Sequence, residues 1–224
     1  MKKNLKTFLL ILISSVSLQL KAATPPIVVV EEVATDKHSD NWIKVSVKFR
    51  IVSHPLEAKY QRLPSSKEGI VNLNYIDDLK IKLSICFSNE MQKTILRSKK
   101  MPDAEFYQYY NSEIEFLTLK FKKNNIYYAN FLFPVEIAER DGFLSTYIKH
   151  VGHVVEVTID GIPVDVESPI LFEKYKEDRI LEKFKQQAQA NSPKNDGILI
   201  PGYLVSTSFL EGAGPVKRKK SAGY

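Results

Sequence analysis

The chain has 224 residues, 44% of them apolar and 26% charged, with 11 prolines, 9 glycines and one cysteine. That composition belongs to a globular protein; it excludes a disordered tail protein, a collagen-like repeat, a disulfide-framed mini-protein and a polytopic membrane protein. The formal charge of +6 sits at the two ends. Four lysines lie in the first 23 residues and Lys217-Arg218-Lys219-Lys220 adds +4 near the other end, which leaves residues 24–216 at −2. A nucleic-acid binder carries positive charge on its folded body, where phosphate counterions are released, so nucleic acid is excluded as a partner.

In chain order, Lys2, Lys3 and Lys6 precede an uncharged, Leu- and Ile-dominated run of 14 residues from Thr7 to Leu20, followed by Lys21-Ala22-Ala23. This pattern reads as a secretory signal peptide over 1–23. The run is short of the roughly 20 apolar residues of a transmembrane helix. The mature chain is therefore expected in the periplasm, outer membrane or on the cell surface, with no transmembrane span. No cysteine follows the run, against a lipoprotein anchor, and the residues around Phe8 do not form a pilin-type leader. A lone cysteine cannot close an intramolecular bridge; Cys86 is expected to pack as a small strand residue, an intermolecular disulfide being the alternative.

Residues 24–168 read as a β domain. Ile27 to Val30 and Val33 form a first strand. From Trp42 to Ser53, Ile43, Val45, Val47, Phe49 and Ile51 alternate with Lys44, Ser46, Lys48 and Arg50, a period of two that buries one face. Asp78 to Ser88 repeats it with Leu79, Ile81, Leu83, Ile85 and Phe87. Such strands, greasy on one side and wet on the other, are typical of antiparallel sheets. Ser53 to Asp78 is expected as a long loop with a short strand near Ile70–Ile76, and Met101 to Asn111 as a loop or helical turn. Glu113 to Phe121 and Ile126 to Phe133 are read as a hairpin joined through Lys122-Lys123-Asn124-Asn125, because Asn tolerates the positive φ of tight turns. A short helix is expected near Glu136 to Arg140. Val154 to Asp160 and Ile162 to Val166 flank Asp160-Gly161, the strongest hairpin signal in the chain.

Ser168-Pro169 then caps a helix over 169–191, whose apolar stripe shifts near Glu177-Asp178, so its first turns are expected to pack and its later ones to diverge. Residues 192–211 form an extension with one more β-rich run from Leu199 to Phe209, and 212–224 a basic tail. Short antiparallel strands without βαβ alternation predict an all-β fold: an immunoglobulin-like antiparallel β-sandwich with one C-terminal α-helix. A β-barrel is the other architecture compatible with the pattern.

Motifs of chemistry are scarce. The sequence has no Gly-rich phosphate loop, Gly-x-Ser-x-Gly elbow, His-Glu-x-x-His, Cys-x-x-Cys or EF-hand loop, so no catalytic residue, cofactor or metal site is expected. His150 and His153 are three apart without a third ligand, and the adjacent carboxylates Glu31-Glu32 and Asp77-Asp78 would point to opposite faces of a strand. Three features point to interaction instead. Tyr107, Tyr109, Tyr110 and Tyr127 lie in an aromatic-dense stretch that could present a tyrosine face to protein or glycan. Leu199, Ile200 and Tyr203 belong to an apolar run that either pairs with the domain's own edge or is offered to a partner strand. Lys217, Arg218, Lys219 and Lys220 could meet an acidic partner. The alternatives from other classes are a glycan-binding module and a carbohydrate-active hydrolase, the latter needing convergent acids such as Asp36, Asp40, Asp77 or Glu105.

The leader, the Trp42–Ser53 and Asp78–Ser88 strands, Phe133-Pro-Val-Glu-Ile-Ala-Glu-Arg-Asp-Gly142 and the Ser168-Pro169 helix with its apolar sequel together resemble secreted immunoglobulin-like proteins encoded in bacterial type IV pilus gene clusters. The resemblance implies a non-enzymatic, monomeric accessory of the cell envelope. Its partners would be other envelope or pilus proteins.

Overall fold

A computed structural model describes residues 26–37, 40–56, 72–96, 103–144, 150–168 and 178–204. The expected signal peptide, the first turns of the C-terminal helix, the end of the Leu199–Phe209 run and the Lys217–Lys220 cluster lie outside these residues.

Nine strands are present among the described residues: β1 (Val28–Lys37), β2 (Trp42–Ile51), β3 (Tyr75–Ser88), β4 (Tyr107–Lys120), β5 (Ile126–Pro134), β6 (Gly152–Ile159), β7 (Ile162–Pro163), β8 (Val166–Glu167) and β9 (Ile200–Pro201). Three α-helices accompany them: α1 (Glu90–Ile95), α2 (Val135–Asp141) and α3 (Asp178–Asn191). One sheet has the order β8-β1-β2-β5-β9, the other β4-β3-β6-β7. The central order 1-2-5 against 4-3-6-7 is that of an immunoglobulin-type sandwich, in which the fourth strand joins the third.

The alternation in β2 became the core. Ile43, Val45, Val47, Phe49 and Ile51 are all buried, and they meet Leu79, Ile81, Leu83, Ile85 and Phe87 of β3 across the interior. On the outer face, Lys48 and Arg50 reach Glu31 of β1 at 3.0 and 3.4 Å. The Asp160-Gly161 turn closes the β6–β7 hairpin as expected, with φ of +51° and +72°, a conformation Gly adopts without steric cost.

Four expectations needed correction. Glu113–Phe121 and Ile126–Phe133 are not a hairpin: β4 pairs with β3 and β5 with β2, so the connection crosses between sheets. Asn124 does take a positive φ, +60°, but the turn it shapes is a crossover. Ile162 to Val166 is not one strand; β7 stays with β6, while β8 leaves for the other sheet and pairs parallel with β1. Strand β4 begins at Tyr107, directly after a 3-10 turn over Asp103–Phe106. Finally, it is the later turns of α3 that pack, through Phe184 and Ala188.

The remaining helices follow local rules. Asn89 caps α1 by accepting from the Gln92 amide at 2.8 Å. Helix α2 falls where a short helix was expected, begins after Pro134 and stops at Gly142.

Candidate functional site

Strand β4 carries three of the four anticipated contact tyrosines, and the fold divides them. Neighbours on a strand point to opposite faces. Tyr110 turns inward, fully buried among Phe87, Phe133 and Phe143, its ring 4.8 Å from that of Phe133 and perpendicular to it. Burial raises its hydroxyl pKa, and the hydroxyl donates to Gln108 Oε1 at 2.6 Å. Tyr109 turns outward but is covered by α3: it is 7% exposed and meets Phe184 edge-on at 5.4 Å. Tyr127 is 5% exposed; its hydroxyl donates to Lys120 O and accepts from Lys122 N. The expected tyrosine face is therefore corrected: Tyr109 and Tyr110 are packing residues because both surfaces of β4 are covered, one by α3 and one by the opposite sheet, and Tyr127 of β5 is buried in the core against Phe49. Tyr107 alone stays partly open.

What β4 and α3 leave between them is a groove of about 690 Å³. Gln92, Glu105, Tyr107 and Gln108 line one side; Lys183, Gln187, Asn191, Lys194 and Asn195 line the other. Asn195 helps to set its floor by donating to Tyr109 O at 3.0 Å, and Asn111 reaches Ser192 Oγ, so the turn after α3 is fastened to the strand. The lining holds five amides and two tyrosines, groups that both donate and accept hydrogen bonds, together with Lys183 and Lys194, which only donate, and the ring of Phe184. Glu105 is the one carboxylate in it, so the groove lacks a second acid for the hydrolase reading. Asp77 lines a different groove, and Asp36 and Asp40 belong to the β1–β2 end.

The described part of the apolar run, residues 199–204, is spent internally. Leu199 is buried in the core, Ile200 pairs with Leu132 at the β5 edge, and Tyr203 packs against the core from outside. Gly202 completes the seal: a Cβ there would stand 2.7 Å from Asn130 O. For residues 199–204 the partner-strand reading is replaced by the self-pairing one; residues 205–209 lie outside the described residues.

His150 and His153 do come together, Nε2 to Nδ1 at 2.8 Å, and they bind one another. Among the described residues no group of three or more His, Cys, Asp or Glu is placed to hold a metal. Cys86 is buried under α3 and burial pushes its thiol up to about 12, so it packs as expected.

A second groove, of about 770 Å³, had no sequence signal. Tyr75, Ile162 and Pro163 form apolar walls, with Asp77, Asp160 and Asp165 in the lining. Beside it His54 accepts from the Leu56 amide through Nδ1 and donates from Nε2 to Tyr75 O at 2.9 Å. A lone histidine in a Pro-rich loop gives no hint of that clasp.

No protein-family model matches the chain, and no curated protein matches it. A crystal structure from Akkermansia muciniphila is similar at 15% identity, over 86% of this chain and 93% of that one, with a TM-score of 0.51. The fold thus defines the class: an all-β protein of two packed antiparallel sheets with a helix laid on one of them. At that identity the likeness shows the fold alone.

Proposed function

We propose that this chain is an exported, non-enzymatic binding protein of the bacterial cell envelope, an accessory to pilus assembly or to another surface structure. The observation that carries the reading is the β4–α3 groove: a built concavity on the outer side of one sheet, lined by hydrogen-bonding amides and Tyr107, by Lys183 and Lys194, and by a single carboxylate. Such a lining offers a partner hydrogen bonds and two cationic groups, and it lacks a second carboxylate to work with Glu105. The basic, apolar start of the sequence supports export, and the resemblance to secreted proteins of type IV pilus gene clusters supports the envelope. No helix among the described residues is long and apolar enough to cross a membrane.

The same amides and Tyr107 favour a second reading, a glycan-binding module, since sugar hydroxyls are matched by groups that both donate and accept. One experiment addresses both. The purified protein and a Tyr107→Ala/Gln187→Ala variant are used as bait on envelope extracts and on an array of envelope glycans. Proteins recovered by the parent and lost to the variant are the expected result. Glycan capture with the same loss moves the reading to the glycan module. Equal recovery by both baits removes the groove from the function.

A further inference from the structure

Strand β4 ends the order of its sheet, so its outer edge has no strand beside it among the described residues. The edge is not open along its whole length. Asn195 and Ser192 hold it at Tyr109 and Asn111, and residues 196–204 run past Ser112 and Glu113. At the other end the Tyr127 hydroxyl takes the place of a neighbouring strand at Lys120 and Lys122. Between these stops, among the described residues, lies an open stretch from Ile114 to Leu119.

This stretch has an unusual inside–outside pattern. Ile114 and Phe116 are buried, Leu117 is 50% exposed, Thr118 also faces out, and Leu119 is buried again. Two successive outward residues break the alternation. The partner strand breaks it at the matching place, where Asp78 takes a φ of +49° between Asp77 and Leu79. The consequence is that β4 reads the same in both directions about the Leu117–Thr118 junction. Phe116 and Leu119 are both inward, Glu115 and Lys120 both outward, and Ile114 and the partly buried Phe121 both turned to the core. A regular strand laid antiparallel on itself about such a junction would set inward residues against outward ones.

The charges have the same symmetry with opposite sign: Glu115 mirrors Lys120, and Glu113 mirrors Lys122. We propose that two copies of this chain join edge to edge through β4, antiparallel about Leu117–Thr118, with Glu115 of each copy opposite Lys120 of the other. The two four-stranded sheets become one continuous sheet across a two-fold axis, an isologous contact. Opposite charges directly across a strand pair stabilise it and like charges destabilise it. Glu115 keeps its own-chain neighbour Lys80 on β3 and gains Lys120 of the other copy, whereas Glu113, 3.8 Å from Lys80, lies at the covered end of the edge. An edge stretch with no strand beside it among the described residues, and with an exposed leucine, favours such pairing. The contact is small, below the roughly 1,200 Å² of a permanent complex, so the dimer is reversible and concentration-dependent. The proposal stands apart from the groove reading and departs from the monomer that the sequence resemblance implies.

Sedimentation velocity of the purified protein tests it, from about 5 μM to about 500 μM, the range in which a small interface populates. The expected result is a sedimentation coefficient that climbs to the dimer value. Glu115→Lys places lysine against lysine twice per dimer and should weaken association by about tenfold or more. Adding Lys120→Glu to it should restore the parent behaviour. A second measurement is independent of charge: Leu117→Cys protein mixed with Thr118→Cys protein should form a mixed disulfide faster than either forms its own, with Cys86 buried and silent. A monomer at every concentration overturns the proposal. So does a dimer indifferent to Glu115→Lys, and so does a mixture that cross-links no faster than its components.

Discussion

His153 shows what one buried titratable group does to a fold. It lies in β6 opposite Ile85, is 5% exposed, and its Nε2 is buried without a hydrogen-bond partner among the described residues. Burial first, and the neighbouring His150 charge second, lower its pKa to about 3 from the ordinary 6.5. The folded state therefore keeps His153 neutral in a range where the unfolded chain protonates it. Its contribution to stability is complete above pH 6.5 and is lost as the pH falls from there towards 3, by up to about 1.4 kcal/mol per pH unit. His153→Leu removes that titration. Urea unfolding at steps between pH 6.5 and pH 4 should give a shallower loss of stability for the variant than for the parent, by close to one proton. Parallel slopes would show that His153 is protonated in the native state. The slope is the readout, because the substitution also changes packing and leaves His150 without its ring partner. None of this was legible in the sequence, where His150 and His153 are only two histidines three residues apart; the burial of His153 comes from the opposite sheet.

At the scale of elements, the sequence was informative wherever one face of a strand is dry and the other wet. The ten residues of β2 alternate in burial without a break, as their apolar spacing predicts. The reading failed in β4 and β5, where large residues occupy both faces, because a local pattern does not say which sheet covers which side. Tyr109 and Tyr110 are the clearest case: adjacent, both buried, one by α3 and one by the core. Helix α3 was legible as a helix, but its docking side was not. It is held by a small cluster, Phe184 and Ala188 against Cys86, Tyr109 and Val154, separate from the main core. A satellite cluster of this size releases its element without unfolding the rest. Phe184→Ala should thus free α3 locally, at a cost of about 3 kcal/mol. Cys86 reports the event, since in the parent it is covered and its thiol, pushed up to about 12 by burial, reacts slowly. Labelling by a thiol reagent should accelerate on the order of a hundredfold in the variant, with helix amides exchanging faster and β2 amides unchanged. Acceleration shared by β2 would mean instead that α3 and the sandwich unfold as one.

For the whole molecule, cohesion has to come from packing, because the single cysteine closes no loop. Two features tie the sheets together. The chain crosses between them after β2, β4, β5 and β7, so neither sheet is a contiguous piece of sequence. At one end of the interior an aromatic cluster draws Phe87 from β3 and Tyr110 from β4 against Phe133 from β5, with ring centroids 5.4 and 4.8 Å from Phe133, and Phe143 stacks on Phe87 at 5.0 Å. Phe133 is thus the one member of the five-stranded sheet at the centre of rings from the other. If the sandwich is a single cooperative unit, removing that ring destabilises both sheets equally rather than loosening one. Phe133→Ala should cost about 3–5 kcal/mol and lower Tm by roughly 10 °C for a chain of this size. The near-ultraviolet signal of the aromatic cluster and the far-ultraviolet signal of the strands should shift together, with or without reductant, since Cys86 is buried and free. An aromatic transition that precedes loss of the strands in the variant would show that the sheets are held by separate contacts, with the cluster a local seam and not the joint between the layers.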